Sequence, residues 1–127
     1  MDANAHEELD QIAHAVIGAA FEVSNTLGAG FFEKVYERAL SKELTARDLE
    51  VRSQVAYAIA YKGQCVGEYF ADLLVENRLL VEVKCVERFA NEHVAQCINY
   101  LKASGLRLAI HINFQKPRLD WKRIIYG

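Results

Sequence analysis

Two apolar runs, Phe70–Val75 and Leu79–Cys85, stand three residues apart, and each carries charge inside it. Asp72 interrupts the first, and Glu82 and Lys84 interrupt the second. Runs of branched apolar residues this short read as strands, and the gap between them is hairpin-sized. Burying an unpaired carboxylate or ammonium costs several kcal/mol, so the fold must bring these charges to compensation. Side chains alternate along a strand, so Glu82 and Lys84 share one face, and Val81, Val83 and Cys85 the other. Whether Asp72 joins Glu82 depends on register. A two-residue turn at Asn77-Arg78 opposes Asp72 to Val83; a loop of Glu76-Asn77-Arg78, with Asn or Arg left-handed, opposes it to Glu82. The pattern therefore predicts an odd-sized loop or a bulge here.

The remaining elements follow from periodicity. Leu9, Ile12, Ala13, Val16, Ala20 and Val23 recur at helical spacing over residues 8–26, and Leu27-Gly28-Ala29-Gly30 breaks the helix. A second helix is predicted from about Phe31 to Arg47, with Phe32, Val35, Tyr36, Ala39, Leu40 and Leu44 as its buried stripe. Val55, Tyr57, Ile59 and Tyr61 alternate as a strand that stops at Lys62-Gly63. Strands follow at Val66–Val75 and Leu79–Val86. Asn91 is placed to cap a third helix through about Ser104, with Glu92 in its first turn and Gly105 at its end. Leu106–Phe114 and an edge segment, Leu119–Tyr126, complete the order α-α-β-β-β-α-β-(β). Close spacing of the first three strands predicts an antiparallel meander. The helix between the third and fourth supplies a parallel crossover. The expected class is α/β, a mixed β-sheet flanked by helices.

Composition narrows the setting. With 127 residues, one Pro and 52% hydrophobic residues, the chain suits a single domain over 1–127 with a substantial core. No apolar run reaches the length of a bilayer crossing, and the acidic start, Met1-Asp2-Ala3-Asn4, lacks a basic signal region; a cytoplasmic protein without a membrane partner is expected. Cys65, Cys85 and Cys97 have no CxxC spacing and read as small buried hydrophobes. His6, His14, His93 and His111 form no HxxxH pair and read as structural or surface residues. The net charge of −2 is uneven: residues 1–50 carry ten acids and four bases, and residues 51–127 seven acids and eleven bases. A phosphate-binding face built partly from Lys116, Arg118, Lys122 and Arg123 is compatible with this, as is ordinary solvated charge.

If Asp72 and Glu82 converge, they make a hard oxygen site suited to Mg²⁺ or Mn²⁺. Such an ion polarises a phosphodiester and acidifies a water, while Lys84 could hold that water and offset developing negative charge. The alternative is the wet face of a half-exposed strand. Gln96 and Tyr100 lie four apart on one helical face and could hydrogen-bond the Lys84 ammonium or a phosphate, or simply decorate that helix. Glu33, in the first turn of the second helix, is favoured there by the helix dipole alone.

Taken together, Glu33, Asp72, Glu82-Val83-Lys84 and Gln96-x-x-x-Tyr100 resemble the PD-(D/E)XK nuclease superfamily, the glutamine-tyrosine pair being the variant of RecB-like and related exonuclease members. Gly30-Phe31-Phe32-Glu33-Lys34-Val35-Tyr36 is similar to the signature of the GxxExxY proteins, a small bacterial and archaeal family placed in that superfamily. Gly67-Glu68-Tyr69, Asn99-Tyr100-Leu101-Lys102 and Lys122-Arg123-Ile124 extend the likeness over nearly the whole chain. The resemblance implies a restriction-endonuclease-like core with Asp72 and Glu82 as metal ligands and Lys84 as the catalytic lysine. It also implies that Glu33 is an extra acid from the helix and that Gln96 and Tyr100 support the lysine or the substrate. Ala71 stands where the superfamily's name has proline, a position that varies. DNA or RNA would be the substrate, with Mg²⁺ (or Mn²⁺) as cofactor. Exposed aromatics such as Phe31, Tyr69, Phe89 or Trp121 would suit a homodimer interface or local packing. The alternative is a non-catalytic nucleic-acid- or protein-binding module, or a subunit of a larger complex, that keeps the fold.

Overall fold

The structure, a computed structural model, describes residues 3–127. Helix α1 spans Ala3–Leu27 and α2 Glu33–Ala46; strands β1 (Val51–Tyr61), β2 (Gln64–Val75) and β3 (Leu79–Lys84) follow, then α3 (Asn91–Ser104), β4 (Leu108–Asn113) and β5 (Asp120–Ile125). The five strands form one sheet in the order β1-β2-β3-β4-β5. The first three pair antiparallel, β3 and β4 run parallel across α3, and β5 closes the far edge antiparallel to β4. This is the expected mixed sheet flanked by helices.

The alternation of β3 and β4 sorts the core into two layers. Leu79, Val81 and Val83 of β3, with Leu108, Ile110 and Ile112 of β4, pack against α1 and α2. Leu80 and Ala109 pack instead against Cys97 and Leu101 of α3. Hence α1 and α2 cover one face of the sheet, α3 the other, and Glu82 and His111 belong to the α3 side. Tyr36, Leu40 and Leu44 are fully buried as the stripe of α2 predicts. Phe32 and Val35, expected in that stripe, are exposed: α2 starts only at Glu33 with Phe32 at its N-cap, and its buried positions begin at Tyr36. Glu37 is buried in their place.

Asn91 is the first residue of α3 and does not cap it. Ala90 holds the N-cap position, and the His93 imidazole accepts the Ala90 N–H through Nδ1 at 2.9 Å. Gly105 ends α3 in the left-handed conformation, as expected, with φ 75°. Of the three cysteines only Cys97 is buried; Cys65 is exposed and Cys85 half-buried, so the expectation of three buried thiols fails for two. Tyr69 is buried too, stacked between Tyr57 and Tyr100, which removes it from the aromatics available to an interface. No helix among the described residues is long and apolar enough to cross a membrane.

Candidate active site

The loop between β2 and β3 is Glu76-Asn77-Arg78, with Glu76 and Asn77 both at positive φ (53° and 55°). Three residues set the register Leu73↔Val81, Leu74↔Leu80, Val75↔Leu79, which carried one step further opposes Asp72 to Glu82. The ladder stops at Leu73. Beyond it the Asp72 carboxylate takes the place of a backbone acceptor, receiving the Val83 N–H on Oδ2 at 2.8 Å. The β1–β2 ribbon departs from the sheet at this level. Val51, Leu73 and Val75 pack toward α1 and α2, whereas Val55, Tyr57, Tyr69 and Ala71 pack toward α3. Odd-numbered side chains thus change face at Gln54 and Asp72. Gln54 carries the irregularity in its backbone, at φ 53°.

Glu82 is 4% exposed, and its Oε1 has no hydrogen-bond partner among the described residues. Burial, then the charge of Asp72 and a hydrogen bond with its carboxyl, push the Glu82 pKa up to about 9; the charge of Lys84 and the Asp72 backbone N–H act against this. A buried carboxyl beside a second carboxylate, with one oxygen unsatisfied, is an arrangement that a cation would relieve. Two carboxylates and no third acid, histidine or cysteine in ligating position make a sparse oxygen set among the described residues. That set fits a hard divalent ion that keeps several of its waters. Lys84 makes no ion pair among the described residues and lies at the strand end that β4 holds. Phe114 N–H donates to Lys84 O at 2.9 Å, and Asn113, fully buried, bonds Val86 at both N (3.1 Å) and O (2.7 Å).

The helical residues divide. Tyr100 stacks on Tyr69 with ring centroids 3.8 Å apart and planes at 5°. Its phenol pKa is raised by burial first, then by the charges of Glu82, Cys97 and Asp72, and is lowered by a hydrogen bond with Gln96. Tyr100 thus lies within electrostatic reach of the carboxylates, and among the described residues neither it nor Gln96 hydrogen-bonds Lys84. Both line a groove of about 600 Å³ between α3 and the ribbon, together with Tyr69, Asn99 and Lys102. Glu33 is exposed in the first turn of α2, and the group its charge acts on is the Cys85 thiol, whose pKa is raised by burial first and by Glu33 second.

The acid that α2 turns toward the pair is Glu37, 6% exposed, which accepts from Lys34 Nζ at 3.1 Å and from Gln54 Nε2 at 3.1 and 3.2 Å. The same Gln54 nitrogen lies 3.4 Å from Asp72 Oδ1. Glu37 follows Glu33 by four residues on one helical face, a spacing that signals it; nothing in a strand-borne glutamine signals Gln54. His111, expected as a structural or surface residue, is buried: it opposes Glu82 in the β3–β4 register, is 1% exposed, and its Nε2 has no partner among the described residues. Burial first, then the neighbouring His93, Lys84 and Lys122, bring its pKa down to about 4, so it is neutral.

The basic C-terminal cluster is partly spent inside the fold. Arg123 pairs with Asp10 at 2.6 Å, and Lys122 lies over the Phe89 ring, 5.6 Å from its centroid.

No curated protein matches the chain by sequence. Among solved structures, SSO0001 aligns with TM-score 0.57 at 16% identity, over 74% of this chain and 50% of that one. An alkaline exonuclease (LHK-Exo) from Laribacter hongkongensis aligns with TM-score 0.55 at 14% identity, over 74% of this chain and 55% of that one. The chain spans about half the length of each, and at these identities the likeness is one of fold, in keeping with the restriction-endonuclease-like arrangement expected. Residues 10–124 match the family model of the PD-(D/E)XK nuclease superfamily. The match covers most of the chain, and the protein belongs to the PD-(D/E)XK nuclease superfamily.

Proposed function

We propose that this chain is a divalent-metal-dependent nuclease, hydrolysing nucleic-acid phosphodiesters at the Asp72–Glu82–Lys84 site. The observation that carries this reading is the buried, unpartnered Glu82 Oε1 beside Asp72, with Lys84 two residues along the same strand. A fold keeps such an orphan where a ligand completes it. Asp72 and Glu82 would hold Mg²⁺ or Mn²⁺, which when bound supplies Lewis acidity to the phosphodiester and acidifies a water. Lys84, through its ammonium, donates to the attacking water or to a non-bridging phosphate oxygen and offsets charge as it develops there. Gln96 and Tyr100, lining the adjoining groove, donate to the phosphate backbone of the strand being cut. Gly30-x-x-Glu33-x-x-Tyr36 supports placement with the GxxExxY proteins.

The test is cleavage of single- and double-stranded DNA and RNA with Mg²⁺ or Mn²⁺, wild type against Lys84→Ala. Divalent-dependent cutting, reduced about 10²-fold or more in the variant at unchanged circular dichroism, is expected. Absence of cutting on every substrate, with no metal binding by calorimetry, would leave the non-catalytic binding module as the reading.

A further inference from the structure

Gln54 is the side chain that joins α2 to the carboxylate pair. Its Nε2 donates to Glu37 Oε1 at 3.1 Å and to Oε2 at 3.2 Å, and lies 3.4 Å from Asp72 Oδ1. A primary amide has two hydrogens. One is shared across the Glu37 carboxylate and the other is directed at Asp72. Asp72 already receives the Val83 N–H on its other oxygen at 2.8 Å. With one donor on each oxygen the plane of the Asp72 carboxyl group is set, and lone pairs on both oxygens stay available to a cation. Glu37 anchors the bridge: it is 6% exposed, and Lys34 Nζ holds its Oε2 at 3.1 Å.

The backbone argues in the same direction. Gln54 stands at φ 53°, where a residue with a Cβ is strained and glycine is not, at the level where both strands of the ribbon change face. A position needing only that backbone would be relieved by glycine. Glutamine adds an amide long enough to span from the strand to two carboxylates.

We propose that Gln54 is a positioning residue: by bridging Glu37 and Asp72 it orients the Asp72 carboxylate for a divalent cation. This rests on the reading of Asp72 and Glu82 as a cation site. The discriminating variant is Gln54→Gly, which removes the amide while easing the backbone. Its thermal midpoint without metal is expected to stay near that of wild type, the eased backbone offsetting the donor lost to Glu37, while Mn²⁺ affinity by calorimetry falls about tenfold or more, as for other groups that orient ligands from behind. Gln54→Asn, whose amide tolerates the left-handed backbone but is one methylene short of the span, is expected to lose affinity similarly, and serves if the glycine variant does not fold. Wild-type affinity in these variants would overturn the inference and leave the cation site standing. A wild-type protein that binds no Mn²⁺ would overturn both.

Discussion

At the residue scale, Glu82 is a buried carboxyl beside a second carboxylate. Its pKa is about 9 in the folded chain against 4.5 for the free group, so the native state holds the proton more tightly than the unfolded one. The linkage has a fixed sign: the stability that the neutral carboxyl contributes is fully present below pH 4.5 and is lost as pH rises through 9. Gln, isosteric with the neutral acid, escapes this loss. Metal-free wild type and Glu82→Gln are expected to have similar stability near pH 5 and to diverge steadily toward pH 9. There the variant should be more stable by a few kcal/mol, at about 1.4 kcal/mol per pH unit as the upper slope. Urea unfolding at a series of pH values measures this; parallel stability profiles would mean that Glu82 is ionised at neutral pH without metal. Asp72, Glu82 and Lys84 stand out in the sequence because charge inside an apolar run is costly and so needs a reason. Gln54 and His111 were not visible, since a polar residue in a strand is ordinary until its neighbours in space are known.

At the scale of elements, the junction of α1 and α2 shows how one side chain fixes a connection. The Tyr36 hydroxyl donates to Gly28 O at 2.6 Å and accepts the Phe31 N–H at 3.1 Å, while its ring stacks on Phe114 at 4.7 Å. Gly28 and Gly30 turn the chain at φ 71° and 113°, which leaves those backbone groups outside any helix and in need of partners. Tyr36→Phe keeps the stacking and strands both backbone groups. It is expected to cost about 1–3 kcal/mol, read as a fall in the urea midpoint with an unchanged slope. Tyr36 also holds the register of α2, and hence the approach of Glu37, four residues after Glu33, to the sheet. The dipole argument favours Glu33 at the helix start; in the fold Glu33 is exposed, and the acid one turn later, Glu37, is buried. The odd loop at Glu76–Arg78 was legible, because hairpin register follows from loop length by counting.

At the scale of the whole molecule, two helices cover one face of the sheet and one the other, and the carboxylate pair lies where the β2–β3 ladder stops. A divalent ion that binds there binds only the folded chain, and so stabilises it by mass action, about 2.7 kcal/mol at a hundredfold excess over its dissociation constant. A proton competes with the ion for Glu82, so the rise in thermal midpoint produced by Mn²⁺ is expected to grow from pH 7 to pH 9 and to vanish in Glu82→Gln. A shift independent of pH, or kept by the variant, would place the ion elsewhere.

What the sequence determined by itself is local: the strand and helix periods, the glycine breaks, the face shared by Glu82 and Lys84, and a loop length that brings Asp72 opposite Glu82. These follow from alternation and from turn geometry, which depend on neighbours in the chain. Only the tertiary structure decided that the ribbon changes face at Gln54 and Asp72, that Glu37 rather than Glu33 is the buried acid of α2, and that Gln54 bridges it to Asp72. The physical reason is that periodicity assigns a side chain to a face of its own element. Which faces meet is settled by packing between residues far apart in the chain, where the cost of a buried charge is compensated by groups that no spacing reveals.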